Sequence, residues 1–414
     1  MNFENFGLSQ PLLTNIHKLG ITEPTEVQEK SIPAIMEGRD VIGESATGSG
    51  KTLAFGCGII DHVVSKKGIQ AIVLTPTREL AEQVKSALAD FSKHKSLLIT
   101  AIYGGVAINP QIHQLTKAEV VVATPGRFLD HLQRGTMDTS KVKLLVLDEA
   151  DRMVDMGFID DVRKIIQACP TKRQTLFFSA TISGRIRDLS NRFMHDPVQI
   201  SATKMVDPSK LKQIYYDVER NIKLSLLIHL LQHERGELVM VFCNTRRTTD
   251  FVVNNLKANK VNAIAIHGGF AQNKRLKSLD LFNNGKAGVL VCTDVAARGL
   301  HIDNVSHIYN YELPSDPTDY VHRIGRTARA GENGKVINLL CPFDHDNFSR
   351  ILREYGDFKV NLEPKPNVPR IFAIKDETPQ NIKRGPHNRS SRGNNGPKRR
   401  FHGRNSSRGG PRNR

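Results

Sequence analysis

Residues 44–52 read ESATGSGKT and end as a phosphate-binding loop ends. The general pattern is G-x-x-x-x-G-K-[ST], and Ser45 stands where the first glycine is expected. A small side chain suffices at that position. Around Ala46, Thr47 and Ser49, Gly48 and Gly50 let backbone N–H groups turn toward one anion. A helix opening at Lys51 adds the partial positive charge of its N-terminus. Lys51 can reach terminal phosphates, and the Thr52 hydroxyl can ligate Mg2+.

Such a loop needs a metal-holding acid at the end of a neighbouring strand. The stretch LLVLDEAD supplies Asp148 after four apolar residues, 97 positions beyond Lys51. Asp148 would hold Mg2+ directly or through water, and Glu149 would orient or deprotonate an attacking water.

These groups must be positioned by strands that end on one edge. Short apolar runs at 71–75, 97–102, 119–123, 144–147 and 175–178 alternate with helix-like segments such as 79–91. The stretch DVIG before the loop reads as a strand end. Runs of Val, Ile and Leu buried on both faces and separated by helices imply a parallel sheet. A polar, proline-containing linker follows at 201–210. A second series occupies 238–243, 261–266, 288–293, 306–311 and 335–341. The reading is two tandem α/β domains and a tail.

DEAD at 148–151, with the segments around it, resembles the DEAD-box RNA helicases of superfamily 2, in the family's order from about residue 3 to about residue 341. The resemblance implies two tandem RecA-like domains with parallel sheets flanked by helices. The expected division is 1–200 for the ATPase domain, 201–210 for the linker, 211–360 for the second domain and 361–414 for a disordered tail.

GITEPTEVQ matches the family's adenine-recognition motif, with Gln28 reading adenine through its amide, Thr25 near the loop, Ile21 packing on the base and Phe3 as the upstream aromatic. An amide offers the donor and acceptor that adenine's N6/N7 edge requires, which favours ATP over GTP. The resemblance assigns an RNA-backbone grip to Pro76, Thr77 and Arg78, to Gly104 and Gly105, and to Thr124, Pro125, Gly126 and Arg127. In the second domain it assigns RNA contact to Asn244, Thr245, His267, Gly268, Gln272, Arg275, Thr293, Asp294, Arg298 and Gly299. Ser179, Ala180, Thr181 and Asp151 would couple the ATP site to the second domain, and His322 and Arg323 would make interdomain contacts. Arg326 and Arg329 match arginine fingers that reach the γ-phosphate, so that hydrolysis depends on closure. Ala328 stands where the family usually has glycine. His301 stands where many members have an aspartate contacting the ATP ribose.

The chain has 414 residues and a formal charge of +17. Residues 383–414 carry 11 Lys and Arg with no Asp or Glu, leaving +6 on the other 382 residues. That tail is built of Arg, Gly, Asn and Ser, and cannot bury enough apolar surface to offset chain entropy. It is expected to tether RNA through phosphate pairing and base stacking. Five isolated cysteines suit a reducing compartment, and no apolar run is long enough to cross a bilayer. The expectation is a cytoplasmic, monomeric, RNA-stimulated ATPase that unwinds short duplexes with ATP and Mg2+. Ribosome-assembly or RNA-decay proteins are the expected protein partners. The alternative from another class is an ATP-gated RNA clamp or annealing chaperone. A DNA helicase is a third reading, which predicts equal ATPase stimulation by DNA.

Overall fold

The computed structural model describes residues 2–45, 48–202, 211–234, 236–297, 302, 305–327 and 334–374. The first seven strands are β1 Val41–Glu44, β2 Ala71–Leu74, β3 Ile99–Ile102, β4 Val120–Ala123, β5 Leu144–Asp148, β6 Gln174–Ser179 and β7 Val198–Ser201. They form one parallel sheet in the order β3-β4-β2-β5-β6-β1-β7. Successive residues enter opposite cores, which is why these strands read as unbroken apolar runs. Ala71 and Val73 pack into one hydrophobic cluster, and Ile72 and Leu74 into the other.

The second sheet is built from β8 Leu211–Asp217, β9 Leu238–Cys243, β10 Ala263–Ile266, β11 Val289–Thr293, β12 Val305–Asn310, β13 Gly334–Leu340 and β14 Val360–Leu362. Its order is β10-β11-β9-β12-β13-β8-β14, the first order with every strand advanced by seven. The two halves therefore repeat one topology. Parallel connection brings all the β-to-helix turns of each sheet to one edge, where ligands collect in open α/β sheets.

The sequence reading misses β7, β8 and β14. None is a continuous apolar run. In β8, Lys212 and Asp217 point to solvent, and β7 and β14 are short edge strands. Ser201, read as linker, is the last residue of β7; residues 203–210 lie outside the described residues.

The expectation of disorder from residue 361 is corrected for 361–374. After β14 pairs with β8, Glu363 N–H donates to Tyr215 O (3.0 Å). Val368 and Ile371 pack on the core of the second domain. Ser225 Oγ accepts from Ile371 N–H (2.9 Å), and the Asn255 amide both accepts from Ile374 N–H and donates to its carbonyl. The prolines keep this segment extended, but its alternate apolar residues still find a surface to cover. The basic stretch 383–414 lies outside the described residues.

Candidate active site and nucleic-acid interface

At the end of β1, Ser45 N–H donates to Ser179 O at the end of β6 (2.9 Å). The helix Lys51–His62 then opens from Gly50, whose φ is 91°. A β-carbon at Gly50 would collide with the Gln28 side chain, so both the turn and this close approach require glycine. Lys51 Nζ is buried and donates to Ser45 O (2.9 Å). Ser49 Oγ donates to Ser45 Oγ (3.1 Å), so the residue that replaces the usual first glycine helps brace the loop. Thr52 lies in the same first helical turn.

The adenine motif is tied to this loop. Thr25 Oγ1 donates to Ser49 O (2.7 Å) and Gln28 Nε2 to Gly50 O (3.0 Å). Gln28 Oε1 accepts from Thr25 N–H (2.9 Å) and closes the first turn of its own helix. The amide expected to face adenine is thus buried, with both ends bonded inside the chain. Ile21 is half-buried against the core, and Phe3 is fully buried against Phe6.

Asp148 ends β5 and is buried. Burial pushes its carboxyl up to about 7, against the pull of the nearby Lys51 charge. Its Oδ1 has no hydrogen-bond partner among the described residues. A desolvated carboxylate oxygen beside a phosphate loop fits a divalent cation, which would satisfy it. Glu149 takes a left-handed φ of 54°, uncommon for a side-chain-bearing residue, and so turns back from the strand end. Burial opposes its charge, but Arg152, Arg326 and Lys51 outweigh that and hold its carboxyl below the usual range. Arg152 Nε lies 3.7 Å from Glu149 Oε2. Asp151 accepts from the N–H groups of Ala180 (3.2 Å) and Thr181 (3.1 Å), while its own N–H donates to Ser179 Oγ (3.1 Å). The acid motif and the SAT stretch are therefore one bonded unit.

The second domain meets this unit through the helix Pro317–Ile324 and the turn after it. Arg326 is buried and its charge acts on Glu149. His322 is buried with Asp319, Arg152, Asp151 and Arg326 around it, and desolvation lowers its pKa. Arg152, Asp319, His322 and Arg326 line one cavity. Arg323 departs from expectation. Its guanidinium holds Asp294 bidentately (2.6 and 2.7 Å), Asn310 Oδ1 (3.0 Å), Glu312 O (2.6 Å) and Asn244 Oδ1 (2.9 Å). Each of these partners lies in the second domain. A fully buried guanidinium needs that many acceptors, and the turns after β9, β11 and β12 supply them.

Several expected RNA contacts are also engaged inside the chain. Asp294 is the partner of Arg323. Asn244 donates to Leu313 O (2.7 Å). His267 is buried between Asp250 (2.9 Å) and Gly269 N–H (3.1 Å). Gln272 and Arg275, expected on RNA, reach across to the first domain in this structure. Gln272 Nε2 donates to Glu79 Oε1 (2.6 Å), and Arg275 Nη2 pairs with Glu79 Oε2 (3.0 Å). Glu79 is 1% exposed, and a buried carboxylate demands such partners. Arg127 donates to Gln111 Oε1 and Val106 O, both 3.1 Å. Thr77 and Thr245 cap the helices Arg78–Phe91 and Arg246–Ala258. Thr124 and Pro125 open the helix Pro125–Gln133, where Gly126 is exposed. Pro76 and Thr293 are buried at the ends of their strands. Arg78 lies over Gly104 and Gly105. Ala46, Thr47, Arg298, Gly299, His301, Ala328 and Arg329 fall outside the described residues.

Glu79 and Arg152 are the residues that sequence reasoning passed over. Both adjoin motif positions, and only tertiary contact marks them. Among the described residues, no helix is long and apolar enough to cross a membrane.

Comparison with known proteins agrees with this architecture. The DEAD/DEAH box helicase model matches residues 25–189, and the helicase conserved C-terminal domain model matches residues 222–331. The ATP-dependent RNA helicase CshA of Listeria monocytogenes is 44% identical over 375 residues, spanning 90% of this chain and 72% of the relative. The DEAD-box ATP-dependent RNA helicase CshA of Geobacillus kaustophilus is 44% identical over 344 residues, spanning 82% and 73%. The structure of S. cerevisiae Dbp5 bound to RNA and ADP BeF3 superposes with a TM-score of 0.80 at 31% identity, covering 88% of this chain and 95% of that one. With motif order, sheet topology and these matches in agreement, the chain belongs to the DEAD-box family of ATP-dependent RNA helicases.

Proposed function

We propose that this helicase hydrolyses ATP in the cleft between its two sheets and uses closure of that cleft to separate short RNA duplexes. Lys51 and the loop 44–52 would hold the phosphates, with Thr25 and Gln28 bracing the loop beneath the base. Mg2+, held by Asp148 and the Thr52 hydroxyl, would neutralise charge on the phosphate oxygens. Glu149 would orient or deprotonate a water for attack on the γ-phosphorus. As the new P–O bond forms, the bond to the β–γ bridging oxygen breaks, giving ADP and phosphate. Arg326, with Arg329, would stabilise the charge that develops on the transferred group.

The observation that carries this reading is the position of Arg326. A buried guanidinium from the second domain acts on Glu149 of the first. Hydrolysis is then competent only when the domains meet. RNA would be held through its phosphates and 2′-hydroxyls along the edge formed by Pro76–Arg78, Gly104 and Gly105, Thr124–Arg127 and the matching turns of the second domain. A strand bent along that edge cannot remain paired, so closure opens a few base pairs.

The basic stretch 383–414 would tether RNA without selecting sequence. The compartment is the cytoplasm, the protein acts as a monomer, and ribosome-assembly or RNA-decay proteins are the partners. Strand displacement on a short RNA duplex tests the reading. The expected result is ATP-dependent displacement together with ATPase activity stimulated by RNA more than by DNA. RNA-stimulated hydrolysis without displacement would make the protein an ATP-gated clamp instead.

A further inference from the structure

On the reading of Pro76–Arg78, Gly104–Gly105 and Thr124–Arg127 as an RNA-backbone grip, we propose that Gln111 is its positioning residue, the side chain that holds the glycine turn in shape and in register with Arg127. Gln111 lies in the helix Asn109–Leu115 and is buried. It belongs to none of the sequence motifs. The turn after β3 needs such a support. Gly105 takes a φ of 80°, and a glycine pair carries no side chains with which to fix its own backbone. Whatever holds it must bond the backbone from outside.

Those bonds stand on both sides of the turn. Gln111 Nε2 donates to Tyr103 O (3.1 Å), just before the glycines, and Arg127 Nη2 donates to Val106 O (3.1 Å), just after them. Arg127 Nη1 donates to Gln111 Oε1 (3.1 Å) and joins the two braces. One chain of bonds thus spans the turn, from Tyr103 O through Gln111 and Arg127 to Val106 O. A carbonyl on one side and a guanidinium on the other fix which way the amide faces. Arg127 Nε lies 3.6 Å from Asp130 Oδ2, so all three guanidinium nitrogens face partners in the chain. Arg127 shapes the turn in this structure.

His131 steadies the amide from behind. It stands one helical turn beyond Arg127 and is fully buried. Burial, with the Arg127 charge nearby, lowers its pKa, so the ring is neutral. Gln111 Oε1 can only accept, so His131 Nε2 carries the proton toward it (3.3 Å), and Nδ1 accepts from Thr136 Oγ1 (2.8 Å). Tyr103 is tied as well, its hydroxyl donating to Glu82 Oε1 (2.8 Å) in the helix that Arg78 opens. The three segments of the grip therefore meet through Gln111 and Tyr103. A buried amide whose donor and acceptor are both engaged turns separate loops into one preformed surface. Such a surface binds more tightly because less ordering is left to the binding step.

The test is the RNA-stimulated ATPase kinetics of the full chain with single-stranded RNA. Gln111→Met keeps the length and packing of the side chain but removes both of its bonds. It is expected to raise the KM for RNA about fivefold, the weight of one hydrogen bond in an equilibrium, while kcat at saturating RNA and the KM for ATP hold. Gln111→Glu keeps the acceptor for Arg127 but cannot donate to Tyr103 O, and is expected to raise the KM for RNA as well. Thr100→Val removes the bond from Thr100 Oγ1 to Gln114 Oε1 (2.8 Å) in the same helix and is expected to leave the KM for RNA unchanged. A KM for RNA unchanged in Gln111→Met but raised in Arg78→Ala overturns the proposal and leaves the grip standing. Equal rises in Gln111→Met and Thr100→Val also overturn it, because loss of helix packing then explains the effect. So does a fall in kcat with a matching rise in the KM for ATP. A wild-type KM for RNA in Gln111→Glu overturns the hold on the turn. Wild-type values in both Gln111→Met and Arg78→Ala refute the underlying grip itself.

Discussion

Glu149 is held charged in a buried place by cations from both domains. Glu149→Gln keeps the shape and removes the base. It is expected to bind ATP and RNA while single-turnover hydrolysis falls by about a hundredfold or more; near-normal turnover would remove Glu149 from the chemistry. His322 adds a pH dependence. Its ring is neutral in the closed form because burial, with Arg152 and Arg326 nearby, outweighs Asp151 and Asp319. Its folded pKa lies below the ordinary 6.5, so below that pH the open or unfolded chain binds more protons than the closed one. Closure is therefore weakened as pH falls through and below about 6.5, and regained above it. RNA-stimulated ATPase activity should show this acid limb, and His322→Asn should flatten it.

Helices carry the coupling between domains. The helix Arg78–Phe91 presents Glu79 to Gln272 and Arg275 of the helix Gln272–Asn283. Glu79→Ala leaves both groups without their shared acceptor. Losing charged hydrogen bonds of this kind costs about 2 kcal/mol, or roughly thirtyfold in the closing equilibrium. Energy transfer between labels on the two domains, with RNA and an ATP analogue present, measures that shift. A wild-type closing curve would show that the contact is incidental.

The duplication also explains why one half binds the nucleotide. Lys223 is the first residue of the helix Lys223–His233 that follows β8, as Lys51 is the first after β1. Lys223 is buried, pairs with Asp344 at 2.9 Å and lies over the Tyr311 ring. A carboxylate of the chain occupies the charge role that phosphate would take. Asp344→Ala leaves a buried cation unpaired and is expected to destabilise the protein by about 3 kcal/mol, read by urea unfolding.

Across the whole molecule, the C-terminal region divides into a packed segment and a basic tail. Ending the chain after residue 374 should leave the melting temperature unchanged and weaken RNA affinity, most of all at low salt. Ending it after 362 should also lower stability by about 2 kcal/mol, through loss of Val368 and Ile371 from the core surface. Equal melting temperatures for the two truncations would show that residues 363–374 contribute no stability.

The sequence by itself determined the chemistry and most of the frame. Phosphate loops, paired acids and arginine motifs are local, because consecutive residues must converge on one ligand. Eleven strands were legible, because burial between two layers of helices demands unbroken apolar runs. β7, β8 and β14 were not: β7 and β14 are short edge strands, and β8, between β13 and β14, carries the exposed Lys212 and Asp217. The role of the motif side chains was decided only by tertiary structure. Gln28, Asp294, His267, Gln272, Arg275 and Arg323 carry the residue types that RNA or nucleotide contact requires, yet the fold bonds each inside the chain. A polar side chain declares what it can bond, and only its buried neighbours decide what it does bond. The strand order within the two sheets was equally hidden, because it arises from pairing between segments far apart in sequence.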